Sequence, residues 1–228
     1  MHTVAFCRPG SSFSSQWVGC WTDMMFHCAK NGIAVIDRPG IHHNIHSVRD
    51  LCLDVEKGHI DEKPFKGELD YTHLMWIDSD QIWTPEQFQR LLDADKDIVC
   101  GWYVLTGTED VICAGWYDEE VFEDKGGLPL MKRRELRDAP RDENGLIDLG
   151  DVHPEYDYPW TGFGFTLIKK GVFEKIPYPW FFDNLHIVGN RISNMGDDIS
   201  FFKKAKEAGF KVYLAPDVKV GHQKLVIF

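Results

Sequence analysis

The sequence predicts an α/β domain with a central, mostly parallel sheet flanked by helices. Three observations predict it. Short apolar runs rich in β-branched and aromatic residues (3–7, 33–36, 74–77, 97–103, 111–116) alternate with stretches of helical periodicity, the pattern of strand–helix–strand units. Those runs stop abruptly at Gly, Pro or acidic turns, where strands hand over to helices. Finally, 228 residues that are 43% hydrophobic and 13% aromatic suffice for one sizeable core rather than two, so a single domain over 1–228 is expected.

Residues 3–7 (TVAFC) read as the first strand, followed by the loop Arg8-Pro9-Gly10-Ser11. A helix over 16–31 closed by Gly32 then opens a βαβ unit. The strand 33–36 ends in Asp37-Arg38-Pro39-Gly40. A loop holding His42, His43 and His46 leads to a helix over 47–57 with Arg49 in its first turn. These histidines have no fourth ligand nearby in sequence and read as loop residues.

The stretch YTHLMWIDSDQIW (71–83) is the centre of the chain. Its apolar run ends in Asp78-Ser79-Asp80, the pattern of a buried strand delivering two carboxylates to a sheet edge. Thr84 as N-cap, Pro85 at the first helical position and Gln87 closing a capping box start a helix whose Phe88, Leu91 and Leu92 share a face. The carboxylates thus sit at the carboxyl end of a strand, where open α/β sheets place ligands. Two carboxylates one residue apart suit a hard divalent cation such as Mg²⁺ or Mn²⁺. A solvated turn with a capping aspartate gives the same letters, and the strand before and helix after favour the metal.

Strands are expected at 97–103 and 111–116. Between 118 and 158, Gly, Pro and Asn punctuate a charged stretch with the cluster Lys132-Arg133-Arg134, and Asn144-Gly145 signals an inserted hairpin or mobile loop. Trp160-Thr161-Gly162-Phe163-Gly164-Phe165 then alternates glycine with aromatic side chains at a strand entrance. That pattern fits either sugar stacking at Trp160, Gly162, Phe163 and Gly164 or sheet packing. A short helix (172–176) follows. Asp197-Asp198 precede a helix over 199–208 ended by Gly209. One of the pair is expected to cap it, and the helix dipole is expected to hold a carboxylate there ionised, as a proton acceptor or metal ligand. Strands at 210–215 and 218–220 finish the sheet, the last reaching His222 and Lys224.

A net charge of −11 argues against a nucleic-acid binder while leaving room for a nucleotide whose phosphates meet a metal ion. No apolar run approaches a membrane span, and Met1–Gly10 lacks the segments of a signal peptide. Six cysteines without a C-x-x-C pair read as reduced core thiols. A cytoplasmic protein without zinc is therefore expected.

Taken together, the strand and loop at the N-terminus, the acid at 37, the arginine-bearing helix, the D-x-D at 78–80, G-F-G at 162–164, D-D at 197–198 and the histidine at 222 resemble a GT-A-fold glycosyltransferase that uses nucleotide-diphosphate sugars. The resemblance covers nearly the whole chain, with 118–158 matched least. It implies a Rossmann-like domain that takes a UDP- or GDP-sugar and a glycan or other hydroxyl acceptor, with Mn²⁺ or Mg²⁺ as cofactor. It assigns the metal to Asp78, Asp80 and His222, and the nucleotide to Pro9, Gly10, Asp37, Arg49, Asp78 and Lys224. Asp198 becomes the base, with Asp197 beside it. The Lys132–Arg134 cluster and Lys224 are further candidates to stabilise the leaving group. The family usually has Glu before the second aspartate, and the Q-x-x-R-W of processive synthases is absent. A sugar-nucleotidyltransferase is the first rival, but its G-x-G-T/S-R loop is not matched by CRPGSSFSSQ. A D-x-D-x-T phosphatase needs Thr where Ile82 stands. An inactive carbohydrate-binding or scaffold protein of the same fold is the non-catalytic rival.

Overall fold

The β-branched N-terminal run forms β1 (Thr3–Pro9), whose Val4, Ala5, Phe6 and Cys7 are fully buried because strands flank it on both sides. The computed structural model describes residues 1–42, 44–55, 58–105, 110–182 and 184–224. β1 runs parallel to β2 (Ala34–Gly40) and to β3 (His73–Ile77). Parallel neighbours need a crossover, supplied by α1 (Ser15–Lys30) and α2 (Ile45–Cys52). α1 starts where the Ser14 hydroxyl accepts the Trp17 N–H at 3.1 Å, and it ends two residues before Gly32, whose φ of 67° suits glycine. α2 is shorter than the predicted helix over 47–57, and residues 56 and 57 lie outside the described residues. So do His43 and the side chain of His46.

β3 is buried over all five residues and ends at the D-x-D turn. Next come β4 (Gln81–Ile82) and α3 (Pro85–Asp93). The Thr84 N–H donates to Gln87 Oε1 at 2.9 Å, the backward half of the expected capping box. β5 (Ile98–Trp102) and β6 (Val111–Tyr117) follow.

The stretch 118–158 is not a hairpin. It contains α4 (Glu119–Lys125), β7 (Leu130–Lys132), α5 (Arg133–Asp138), β8 (Ile147–Asp148) and α6 (Leu149–Val152), and leads into β9 (Tyr158–Thr161). The turn at Asn144-Gly145 is real, with the Gly145 N–H on the Asp142 carbonyl at 2.9 Å. Its flanks part company, however: β7 pairs with β6, whereas β8 pairs with the central sheet.

The rest of the chain is β10 (Phe165–Lys169), α7 (Val172–Lys175), the hairpin β11 (Asn184–Val188) and β12 (Arg191–Met195), α8 (Asp197–Glu207), β13 (Tyr213–Lys219) and β14 (Gly221–His222). The two strands expected at 210–215 and 218–220 are one strand with a register shift between Leu214 and Lys219. The central sheet has seven strands in the order β2-β1-β3-β10-β5-β13-β8, with helices packed on it. Five of its strands run the same way, as expected of a mostly parallel sheet, and two oppose them: β10 runs antiparallel to both β3 and β5, and β8 antiparallel to β13.

This mixture sets up the site. β1, β3, β5 and β13 end at one edge, and β10 begins there, so five loops converge on it. Beneath the edge lies an aromatic cluster in which Phe163 meets Trp76 at 5.5 Å, Phe201 at 4.9 Å and Phe181 at 5.2 Å between ring centroids, each edge-on. Burying each such ring contributes about 1.5–3 kcal/mol. All six cysteines are free thiols, five of them buried. Among the described residues, no helix is long and apolar enough to cross a membrane.

Candidate functional site

The parallel strands β1 and β3 deliver their following loops side by side. Pro9, Gly10, Ser11 and Ser12 from the first loop and Asp78, Ser79 and Asp80 from the second line a cleft of about 370 Å³, closed on the far side by His42, Ile45 and Val48. Gly10, at φ 143°, is where the two loops touch, since a Cβ there would lie 2.8 Å from the Ser79 Cβ. The D-x-D turn is held from three sides. The Asp78 N–H donates to the Gly164 carbonyl at 3.1 Å, the Trp17 indole N–H to the Asp78 carbonyl at 3.1 Å, and the Gln223 N–H to the Asp80 carbonyl at 2.7 Å.

Asp80 faces the C-terminal strand. β14 pairs with β4, setting His222 opposite Gln81, so His222 Nε2 lies 3.1 Å from Asp80 Oδ2. Lys224 Nζ lies 2.6 Å from the same oxygen. Partial burial alone would raise the Asp80 pKa, but the hydrogen bonds and charges of His222 and Lys224 prevail and hold the carboxyl well below the usual range. His222 Nδ1 is 3.0 Å from the Val104 carbonyl, which makes Nδ1 the donor and turns Nε2 toward Asp80.

Arg49 is 3% exposed and lies under the cleft floor rather than in its lining. Its Nε donates to Asp197 Oδ2 at 2.7 Å, Nη2 reaches Asp198 Oδ1 at 3.4 Å, and Nη1 faces Asp78 Oδ1 at 3.5 Å. The last two atoms are buried without a hydrogen-bond partner among the described residues. The guanidinium lies over Phe163 at 4.9 Å, with Trp76 and Phe181 each at 5.7 Å. Burial opposes its charge, yet Asp78, Asp198 and Asp197 hold it firmly protonated. Three carboxylates around one guanidinium leave negative charge uncompensated. Burial pushes Asp198 up to about 8, with Asp197 and Asp78 adding to the shift against the pull of Arg49. Burial also raises Asp78.

That geometry corrects two expectations. Neither Asp197 nor Asp198 caps α8, because Gly196 is the N-cap and both carboxylates turn to Arg49 instead. Nor does the helix dipole hold Asp198 ionised, since burial and its acidic neighbours outweigh it. The guanidinium of Arg49 makes its polar contacts with these carboxylates, and the residue is absent from the cleft lining.

The G-F-G turn is also built for packing. Phe163 is fully buried and offers no ring to a sugar. A Cβ on Gly162 would lie 2.3 Å from the Tyr103 hydroxyl, and one on Gly164 2.7 Å from Tyr103 Cε1, so the glycines make room for that ring. Tyr103 in turn packs on His222, with ring centroids 4.7 Å apart. Sequence reasoning missed Tyr103, which looks like any strand aromatic. It missed Ser11, Ser12 and Ser79 as well, for serine in a loop carries no specific signal. Trp160 is half-buried on β9, its indole nitrogen without a partner among the described residues. Asp37 is gripped by Arg8, both guanidinium contacts at 2.6 Å, outside the cleft lining. Of the Lys132–Arg134 cluster, Arg133 and Arg134 line a different cavity.

Among the described residues no group of three or more His, Cys, Asp and Glu is arranged to hold a metal ion. Asp80 and His222 form a pair of oxygen and imidazole donors, whereas Asp78 is turned toward Arg49. A divalent cation that takes one or two protein ligands and fills its remaining positions with phosphate oxygens and water fits that pair.

No protein-family model matches the sequence, and no curated protein matches it. Among solved structures the chain is similar to A197 from STIV, with a TM-score of 0.52 and 19% identity, covering 100% of this chain and 97% of that one. At that identity the likeness is one of fold. The chain is also similar to GalNAc-T7 in its crystal structure with UDP, GalNAc and Mn²⁺, with a TM-score of 0.45 and 12% identity, covering 96% of this chain and 37% of that one.

Proposed function

We propose that the chain is a metal-dependent glycosyltransferase that moves a sugar from a nucleotide-diphosphate donor, a UDP- or GDP-sugar, to a hydroxyl acceptor. The observation that carries this reading is the convergence of three distant segments on one edge: the Gly10 loop, the D-x-D turn and the His222 strand. The first two frame a cleft with backbone and hydroxyl donors suited to a nucleotide diphosphate. The third brings an imidazole whose Nε2 is presented by a hydrogen bond at Nδ1, the arrangement that orients a ligating histidine.

Asp80 and His222 would hold Mn²⁺ or Mg²⁺ together with the donor. Bound there, the ion supplies Lewis-acid stabilisation of the departing diphosphate. Lys224, beside Asp80, is placed to add positive charge to the same group. Asp198 would take the proton of the acceptor hydroxyl, a contribution of roughly 10²–10⁴-fold for a well-placed base. Arg49 acts through others, fixing Asp78, Asp197 and Asp198 in one orientation.

Donor hydrolysis without acceptor tests the reading. The protein is incubated with UDP- and GDP-sugars and Mn²⁺, and free nucleotide is measured. One donor is expected to be cleaved slowly by the wild type and not by Asp80→Ala. Release of no nucleotide from any donor, or equal release by the variant, overturns the proposal.

A further inference from the structure

The run LMKRRELRDAPR (130–141) places four arginines around a second cavity, of about 500 Å³. α5 contributes Arg133, Arg134 and Arg137, and the loop after it contributes Arg141. Trp102, Leu136 and Pro216 form the apolar part of the wall, and Asp110 is its one acidic residue among the described residues. Arg133 and Arg137, four residues apart, share one face of α5 and repel each other, an arrangement with no benefit to the helix. Among the described residues Arg137 forms a salt bridge with its exposed neighbour Asp138 alone, at 2.9 Å. Arg134 and Arg141 are exposed and form no salt bridge among the described residues. In a chain of net charge −11, this concentration of guanidinium groups is local and opposite in sign to the whole.

The cavity is separate from the donor cleft for a simple reason. Successive side chains on an extended strand point to opposite faces. Tyr103 packs on Gly162, Gly164 and His222, whereas Trp102 faces the other way and anchors its indole N–H on the Pro216 carbonyl at 3.0 Å.

We propose that this arginine cavity is a second ligand site, for a compact anion carrying two or more phosphate or sulfate groups. Guanidinium forks match the oxygens of such groups in pairs, as a lysine patch does not. A cavity of this size takes a small molecule. A long polyanion such as nucleic acid would have to lie along the acidic remainder of the surface, which repels it. The proposal stands independently of the transferase reading. Free oligophosphate and a phosphorylated sugar both supply the chemistry.

Calorimetric titration at low salt, with EDTA present to keep metal out of the donor cleft, separates the two sources. Tripolyphosphate and a hexose bisphosphate are the probes, used on wild type, the double variant Arg134→Ala/Arg141→Ala and Asp80→Asn. Binding by the wild type is expected, unchanged in Asp80→Asn and weakened about tenfold or more in the double variant, whose exposed side chains leave the melting temperature unaltered. Tighter binding of the bisphosphate identifies a phosphorylated sugar as the ligand class, and tighter binding of tripolyphosphate identifies free oligophosphate. Absence of heat with both probes, wild-type affinity in the double variant, or a loss confined to Asp80→Asn overturns the proposal.

Discussion

Arg49 is the residue on which the carboxylates of the site depend. Its guanidinium touches Asp78, Asp197 and Asp198 and is 3% exposed, so water cannot replace it. Taking it away leaves three acids in a dry pocket with no counter-charge, a loss of about 3–5 kcal/mol for a buried pair broken on one side. Arg49→Met keeps a similar volume and removes the charge together with its hydrogen bonds. Urea unfolding at pH 7 is expected to show that loss, and a variant within about 0.5 kcal/mol of wild type, the range of an ordinary surface change, would mean the guanidinium does not hold the site together. The nucleotide role of Arg49 came from the family resemblance, and its carboxylate partners were not legible in the sequence. A lone arginine on a helix reads as a surface charge, and its partners lie 148 and 149 positions away.

Within single elements, what was legible was local. The strand ending in Asp78 and Asp80 and the helix begun by Thr84 and Pro85 were readable because burial, turn and cap lie within a dozen consecutive residues. The direction of β10 was not, since an apolar run looks the same read up or down a sheet. The glycines at 162 and 164 announced close approach without saying to what, and Tyr103 lies about 60 positions upstream. The pairing of His222 with the D-x-D turn came from the family resemblance, for the chain alone offers only a histidine after a strand. α8 shows how tertiary charge overrides a local rule. Asp197 and Asp198 look like caps, but a buried guanidinium outbids backbone N–H groups that water can also serve. The consequence is a pH dependence. The Asp198 pKa is raised to about 8, so its ionised form, the one able to accept a proton, dominates above that pH and falls about tenfold per unit below it. With Asp198 as base, kcat/KM measured between pH 6 and 9.5 with Mg²⁺ is expected to climb and level off near pH 8. A profile that is flat across that range removes Asp198 from the role.

For the molecule as a whole, the proposed transferase reading requires a negative surface to admit a negative ligand. At net charge −11 a nucleotide diphosphate approaches against the field of the entire chain, and Asp78 and Asp80 stand at the entrance. A divalent cation bound with the nucleotide would resolve the conflict, so nucleotide and metal should stabilise the fold together and not separately. Ligand at about 100 times its dissociation constant adds about 2.7 kcal/mol to folding. For a domain of this size each kcal/mol moves the melting temperature by about 2–4 °C, so a rise of about 5–10 °C is expected with UDP or GDP plus Mn²⁺. Either component alone should give clearly less, and Asp80→Ala should abolish the joint effect because it removes the carboxylate that His222 and Lys224 converge on. Additive shifts from nucleotide and metal would separate their sites and break the link between the D-x-D turn and the donor. Nucleotide alone giving the full rise would assign the work of neutralisation to the protein's own cations, Lys224 first among them.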